Sequence, residues 1–151
     1  MIAAGPAGAP TGAPTGAPIV APPAGLLLDT HALIWWWTDD PRLTPPARAA
    51  IADPARVAHV SAASAWELAT KHRLGKWPEA AAVLDQFDDL LRRSRFAALP
   101  ITPAEARTAG ALDWAHRDPF DRMLLAQATA LGLALVSGDA AFAGRGVARI
   151  W

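Results

Sequence analysis

Five carboxylates stand at the ends of short apolar runs or in the opening turns of helical stretches. Asp29 follows Leu26–Leu28, Glu67 lies in the helical stretch after Val57–Val60, Asp118 and Asp121 bracket Pro119 and Phe120, and Asp139 follows Leu133–Val136. In an α/β sheet these positions gather beyond the carboxyl ends of the strands, where ligands bind. Carboxylates crowded together repel and raise one another's pKa unless a hard divalent cation neutralises them, and oxygen ligands with retained waters suit Mg2+ or Mn2+. Such an ion polarises a phosphoryl oxygen and lowers the pKa of an attacking water, so the chemistry on offer is phosphodiester hydrolysis. Other chemistries have less to work with. The chain has no cysteine, which removes disulfides, thiolate zinc sites and cysteine nucleophiles. Its four histidines, at 31, 59, 72 and 116, include no His-x-x-x-His pair, so any metal is expected to rest on carboxylates.

Each acid also has a structural use. Ser64-Ala-Trp-Glu67 fits a capping box, and Glu67 with Lys71 makes an i,i+4 pair worth about 0.2–0.5 kcal/mol. Asp118 before Pro119 is an N-cap signature, Asp121 suits the dipole of the helix that follows, and Asp139 after Gly138 fits a turn. Asp29 is harder to spend this way, because a charge wedged between an apolar strand and the stretch Ala32–Trp37 is partly buried and needs a partner. Were all five only caps, the protein would be a metal-free interaction or regulatory module. A small-molecule phosphohydrolase is the other alternative, and the absence of a glycine-rich phosphate loop counts against it.

The elements that must position these acids alternate along the chain. Strands are predicted at 26–28, 57–60, 99–101, 133–136 and 147–151. Helices are predicted at about 44–52, 62–73, 78–93, 103–115 and 119–131, with Gly75 and Gly132 at C-caps. Helices of this length between strands imply a mostly parallel sheet covered on both faces, a three-layer α/β/α sandwich in one domain over residues 26–151. Residues 1–25 hold six Pro, five Gly and eight Ala and are expected to form an extended, disordered tail outside the domain. The tail has no basic n-region and no unbroken apolar run, and no stretch suits a membrane span, so a cytoplasmic location is expected. With 14 basic and 14 acidic residues the net charge is zero, so contact with nucleic acid must come from a local patch.

Four segments carry a family resemblance. Leu27-Leu-Asp-Thr-His-Ala-Leu-Ile-Trp-Trp, Ser61-Ala-Ala-Ser-Ala-Trp-Glu-Leu-Ala-Thr-Lys-His-Arg-Leu-Gly-Lys, His116-Arg-Asp-Pro-Phe-Asp-Arg-Met-Leu-Leu-Ala-Gln-Ala and Leu135-Val-Ser-Gly-Asp-Ala-Ala-Phe resemble PIN-domain ribonucleases of the VapC toxin type, in the family's order. The resemblance implies a Rossmann-like fold, Mg2+- or Mn2+-dependent RNA cleavage leaving 5′-phosphate and 3′-hydroxyl ends, a homodimer, and a cognate antitoxin. It implies Asp29, Glu67, Asp121 and Asp139 as catalytic residues. Asp29, Asp121 and Asp139 are expected to hold one or two ions, with Glu67 orienting or binding through water; either Asp118 or Asp121 can face the metal at that helix start, Asp121 being favoured and Asp118 a cap or outer helper. Gly138 stands where relatives carry a variable residue between Thr or Ser and Asp, and the tail lies outside the family pattern.

Substrate contacts are expected from Arg117 and Arg122 beside the acids, with Thr30 and Ser137 as hydroxyl donors to the acids, a water or the substrate. The clusters Lys71-His72-Arg73 with Lys76, and Arg92-Arg93 with Arg95, are lesser sources of positive charge. Trp35, Trp36 and Trp37 fan over about 200° of a helix, so one core cannot bury all three and at least one is expected at a surface or interface. Trp66, Trp77 and Trp114 read as ordinary helix packing.

Overall fold

A computed structural model describes Pro23 and residues 25–151; the rest of the expected tail lies outside the described residues. Five strands, β1 (Gly25–Leu28), β2 (Val57–Ser61), β3 (Ala97–Leu99), β4 (Ala134–Val136) and β5 (Arg149–Ile150), form one sheet in the order β3-β2-β1-β4-β5. All four pairings are parallel, as the alternation of strands and helices predicts. The chain steps outward from β1 through β2 to β3, then returns to the other side of β1 for β4 and β5. The β1–β4 boundary is therefore the switch point at which open α/β sheets bind ligands.

Side-chain alternation along β1 divides the core. Leu26 and Leu28 face α1 (Thr30–Trp37) and α2 (Pro45–Ala52), where they meet Leu33, Leu43, Ala47 and Ile51. Leu27 faces α7 (Pro119–Leu131) and meets Leu124, Leu125 and Ala128, with Leu135 and Phe142 beside them. Three layers follow from a strand buried on both faces. Gly25 opens β1 where a Cβ would come 2.7 Å from Leu133 Cδ2 and 3.2 Å from the His59 ring, so a larger residue there would have to displace the Leu133 side chain.

Four predicted elements differ from those observed, among them the last strand, which is Arg149–Ile150 rather than 147–151. The helix expected over 78–93 is two, α4 (Ala80–Asp85) and α5 (Phe87–Ser94), broken at Gln86. Ala80 and Val83 pack on Ile34 of α1 and Leu68 of α3 (Ala62–Arg73), Leu91 reaches the sheet core, and Phe87 touches both. The third strand ends at Leu99, because Pro100 has no N–H to give the ladder. Helix α6 (Pro103–Ala111) stops four residues before the expected end at Ala115, and the Arg122 guanidinium explains why. It donates to the carbonyls of Ala109, Gly110, Leu112, Trp114 and His116, closing the helix and shaping the loop beyond it. Among the described residues no helix is long and apolar enough to cross a membrane.

Candidate active site

Asp29 leaves the end of β1 as the N-cap of α1 and is only 6% exposed. Its Oδ1 accepts from the His31 N–H at 2.8 Å, and its Oδ2 accepts from the Ser137 hydroxyl at 2.5 Å. Ser137 Oγ in turn accepts from the Asp139 N–H at 3.1 Å, so one hydroxyl ties the ends of β1 and β4 together. The partner that a buried Asp29 requires is therefore Ser137.

Glu67 reaches the same place from α3 and is 4% exposed. Thr30 donates to its Oε2, and Lys71 pairs with its Oε1 one helical turn on. The capping box expected from Ser64 to Glu67 does not form: Ser61 is the N-cap, and Ser64 is buried against Thr30 at 3.0 Å. Burial pulls the Lys71 pKa down, but its hydrogen bond to Glu67 and the charges of Glu67, Asp118 and Asp121 outweigh that and hold it above its ordinary value.

The third group stands at the start of α7. Asp118 is the N-cap, its Oδ1 accepting from the Phe120 and Asp121 N–H groups at 2.9 and 3.3 Å. Asp121 lies one turn in, 2.6 Å from His116 Nε2. Burial, aided by the charges of Asp118, Asp29 and Glu67 and opposed by the His116 hydrogen bond, pushes the Asp121 carboxyl up to about 6. Asp139 follows β4, exposed, with its Oδ1 accepting from the Ala141 N–H at 2.8 Å. One ligand atom each from His116, Asp121 and Asp139 lie within 4.8 Å of one another. All five acids line one cavity of about 590 Å3.

That donor set fits a divalent cation, since half-open carboxylates supply hard oxygens and a histidine bonded to one of them fixes its orientation. His116 is the residue that sequence reasoning missed. A search for paired histidines discards a lone one, whereas its place five residues before Asp121 in a loop abutting the helix start was the available signal.

The expected substrate contacts fare differently from the acids. Arg122 is corrected outright: its donors are spent on five backbone carbonyls, away from the acidic cavity. Thr30 and Ser137 are 1% and 0% exposed, so they hold Glu67 and Asp29 rather than meet a substrate. Arg117 is exposed but does not line the cavity. The cations that do line it are Arg42 and Lys71, joined by the histidines His31 and His116. Among the tryptophans, Trp35, Trp36 and Trp37 are all half-buried, and Trp35 turns toward the cavity. Trp66 is not ordinary packing but 59% exposed, meeting Phe120 edge-on at 4.9 Å.

The wider similarities agree with this arrangement. Residues 26–146 match the PIN domain family. Ribonuclease VapC22 of Mycobacterium tuberculosis (strain ATCC 25618 / H37Rv) is 36% identical over 115 residues, covering 76% of this chain and 86% of that protein. In fold, the chain is similar to the crystal structure of VapBC2 from Rickettsia felis bound to a DNA fragment from their promoter, with a TM-score of 0.54 at 14% identity over 83% of this chain and 96% of that one. A sheet with its switch point at Asp29, the acids gathered there, and a match running through nearly the whole domain have one reading: this chain belongs to the PIN-domain family, among its VapC-type members.

Proposed function

We propose that the protein is a metal-dependent endoribonuclease and the toxin of a toxin–antitoxin pair. The observation that carries this reading is the five-acid cavity at the β1–β4 switch point, in which three carboxylates keep an oxygen free of protein partners among the described residues. Asp121 and Asp139 would hold Mg2+ or Mn2+, with Asp29 and Asp118 offering further lone pairs from the cavity wall. When bound, the ion supplies Lewis-acid polarisation of a phosphoryl oxygen and a lowered pKa for the attacking water. The chain's own residues do the positioning. Ser137 sets the Asp29 carboxylate, and His116 sets Asp121. Glu67 has both oxygens engaged by Thr30 and Lys71, so it acts by keeping the Lys71 ammonium in the cavity, where it meets the charge of a phosphate. RNA hydrolysed in this way ends in 5′-phosphate and 3′-hydroxyl groups.

The test is cleavage of total RNA by the purified, antitoxin-free protein with Mg2+ or Mn2+ and with EDTA, beside Asp29→Asn. Metal-dependent cutting that disappears in the variant is the expected result; equal cutting in EDTA or by the variant would refute the assignment. The same reading carries a cytoplasmic location for this protein and an antitoxin partner, the latter tested by loss of cutting on adding the product of an adjacent small open reading frame. It also carries a homodimer, tested by light scattering.

A further inference from the structure

The acidic cavity shares His31, Trp35, Arg42 and Lys71 with a second cavity of about 560 Å3, which is lined beyond them by α1 and by Lys76 and Trp77 in the loop after α3. Four aromatic rings follow one another along the pair: Trp77, His31, Trp35 and Trp151, with successive centroids 4.6, 5.5 and 5.7 Å apart. The last of them lies against Gly138, where a Cβ would come 2.7 Å from the indole, so the glycine before Asp139 lets the aromatic row reach the acids. Cations sit over the rings, Arg42 at 4.9 Å from the Trp35 centroid and Lys71 at 5.9 Å from that of Trp77. Asp40 and Glu79 face the same groove, but Asp40 is paired with Arg42 at 2.7 Å, and Lys76 adds an exposed positive charge.

Rows of half-buried aromatics alternating with cations take unpaired bases by stacking and phosphates by charge, with little dependence on which base is present. A duplex cannot use them, because its bases are already stacked and its edges alone are open. Resting on the ribonuclease reading above, we propose that this groove holds the single-stranded stretch of RNA next to the scissile phosphate, with a base stacked on the Trp77–His31 pair and a backbone phosphate on Lys76.

The experiment measures binding to the full chain in EDTA of a fluorescent single-stranded oligoribonucleotide of about a dozen nucleotides, and of the blunt duplex of the same sequence. Trp77→Leu keeps an apolar side chain against the core of α1, α3 and α4 and should weaken single-strand binding roughly ten-fold, whereas Trp77→Phe should stay within about three-fold. Lys76→Ala should flatten the salt dependence by about one phosphate contact. The parent should prefer the single strand, and each variant's circular dichroism and melting temperature show that it is folded. Unchanged single-strand binding by folded Trp77→Leu, or equal binding of the duplex, overturns the proposal. Variants that bind and cut RNA normally but escape an inhibiting protein partner overturn it in favour of a protein-binding groove. If the parent cuts RNA and the groove variants bind single strands as the parent does, this inference fails alone; if the parent neither binds nor cuts RNA, the ribonuclease reading fails and takes this one with it.

Discussion

At the β1 side of the cavity, Asp29 and Glu67 are nearly sealed from solvent and both oxygens of each are engaged, by the His31 N–H and Ser137 for one and by Thr30 and Lys71 for the other. At the α7 side, Asp118, Asp121 and Asp139 each have a single oxygen engaged by the described residues, and the Asp121 pKa is pushed up to about 6. The first pair is finished by the protein alone. The second group is left with charge it does not compensate, which is the condition that a divalent cation relieves. The difference is one of satisfaction: Asp29 and Glu67 are braced by the protein, with Asp29 still presenting lone pairs to the cavity, and the acids facing them carry most of the uncompensated charge.

Breaking the open side should have the largest effect. Asp121→Asn is expected to lower metal affinity by more than about 100-fold, beyond what loss of an outer partner costs, and to remove cleavage with it. The same variant should leave the metal-free fold at least as stable as the parent, because it deletes a desolvated charge; titration calorimetry with Mn2+ and thermal melting check the two halves of that statement. Breaking the closed side should do less to metal and more to the fold. Ser137→Ala leaves a buried Asp29 oxygen without its donor, which should destabilise by about 1–3 kcal/mol in urea unfolding, and should weaken metal binding by about 10- to 100-fold. Ser137→Thr, which keeps the hydroxyl, should recover most of both.

The contrast also has a pH signature. The Asp121 pKa is higher folded, at about 6, than its ordinary 3.8, so its contribution to metal-free stability is fully present below about 3.8 and is lost as the pH rises through about 6. The parent should therefore gain melting temperature relative to Asp121→Asn as the pH falls from 7.5 to 5; a difference that stays constant over that interval would place the titration elsewhere. The smallest effect on chemistry belongs to Arg122. Arg122→Ala should unfold more easily, by about 1–3 kcal/mol as carbonyls at the α6 end lose their donor, while leaving the salt dependence of RNA binding unchanged.

Much of the acid cluster was legible because each acid is announced locally. Asp118 reads as a cap and Asp139 as a turn residue from neighbours two or three positions away, whereas Asp29, read as a buried charge in need of a partner, is also the N-cap of α1. Glu67 and Lys71 are partners one turn apart on α3. The sheet was legible for a similar reason, since apolar runs bounded by helices of sufficient length leave little alternative to parallel strands. Shorter-range signals misled where a distant contact intervened. Arg122 beside Asp121 reads as a phosphate contact until the end of α6 is brought against it, and Thr30 and Ser137 read as donors to the acids, a water or a substrate until β4 and α3 assign them to Glu67 and Asp29.

From the sequence alone follow a parallel α/β/α domain, the acids that meet at its strand ends, and a resemblance to a family of ribonucleases. Tertiary structure alone decided which carboxylates are satisfied and which are not, that His116 joins the second group, that Trp151 lies on Gly138, and that the cations in the cavity are Arg42 and Lys71 rather than the arginines nearest in sequence. Caps and alternation are set within a few residues of chain, whereas hydrogen-bond satisfaction and burial depend on what the fold brings from far away, as the Ser137 hydroxyl on Asp29 does across 108 positions.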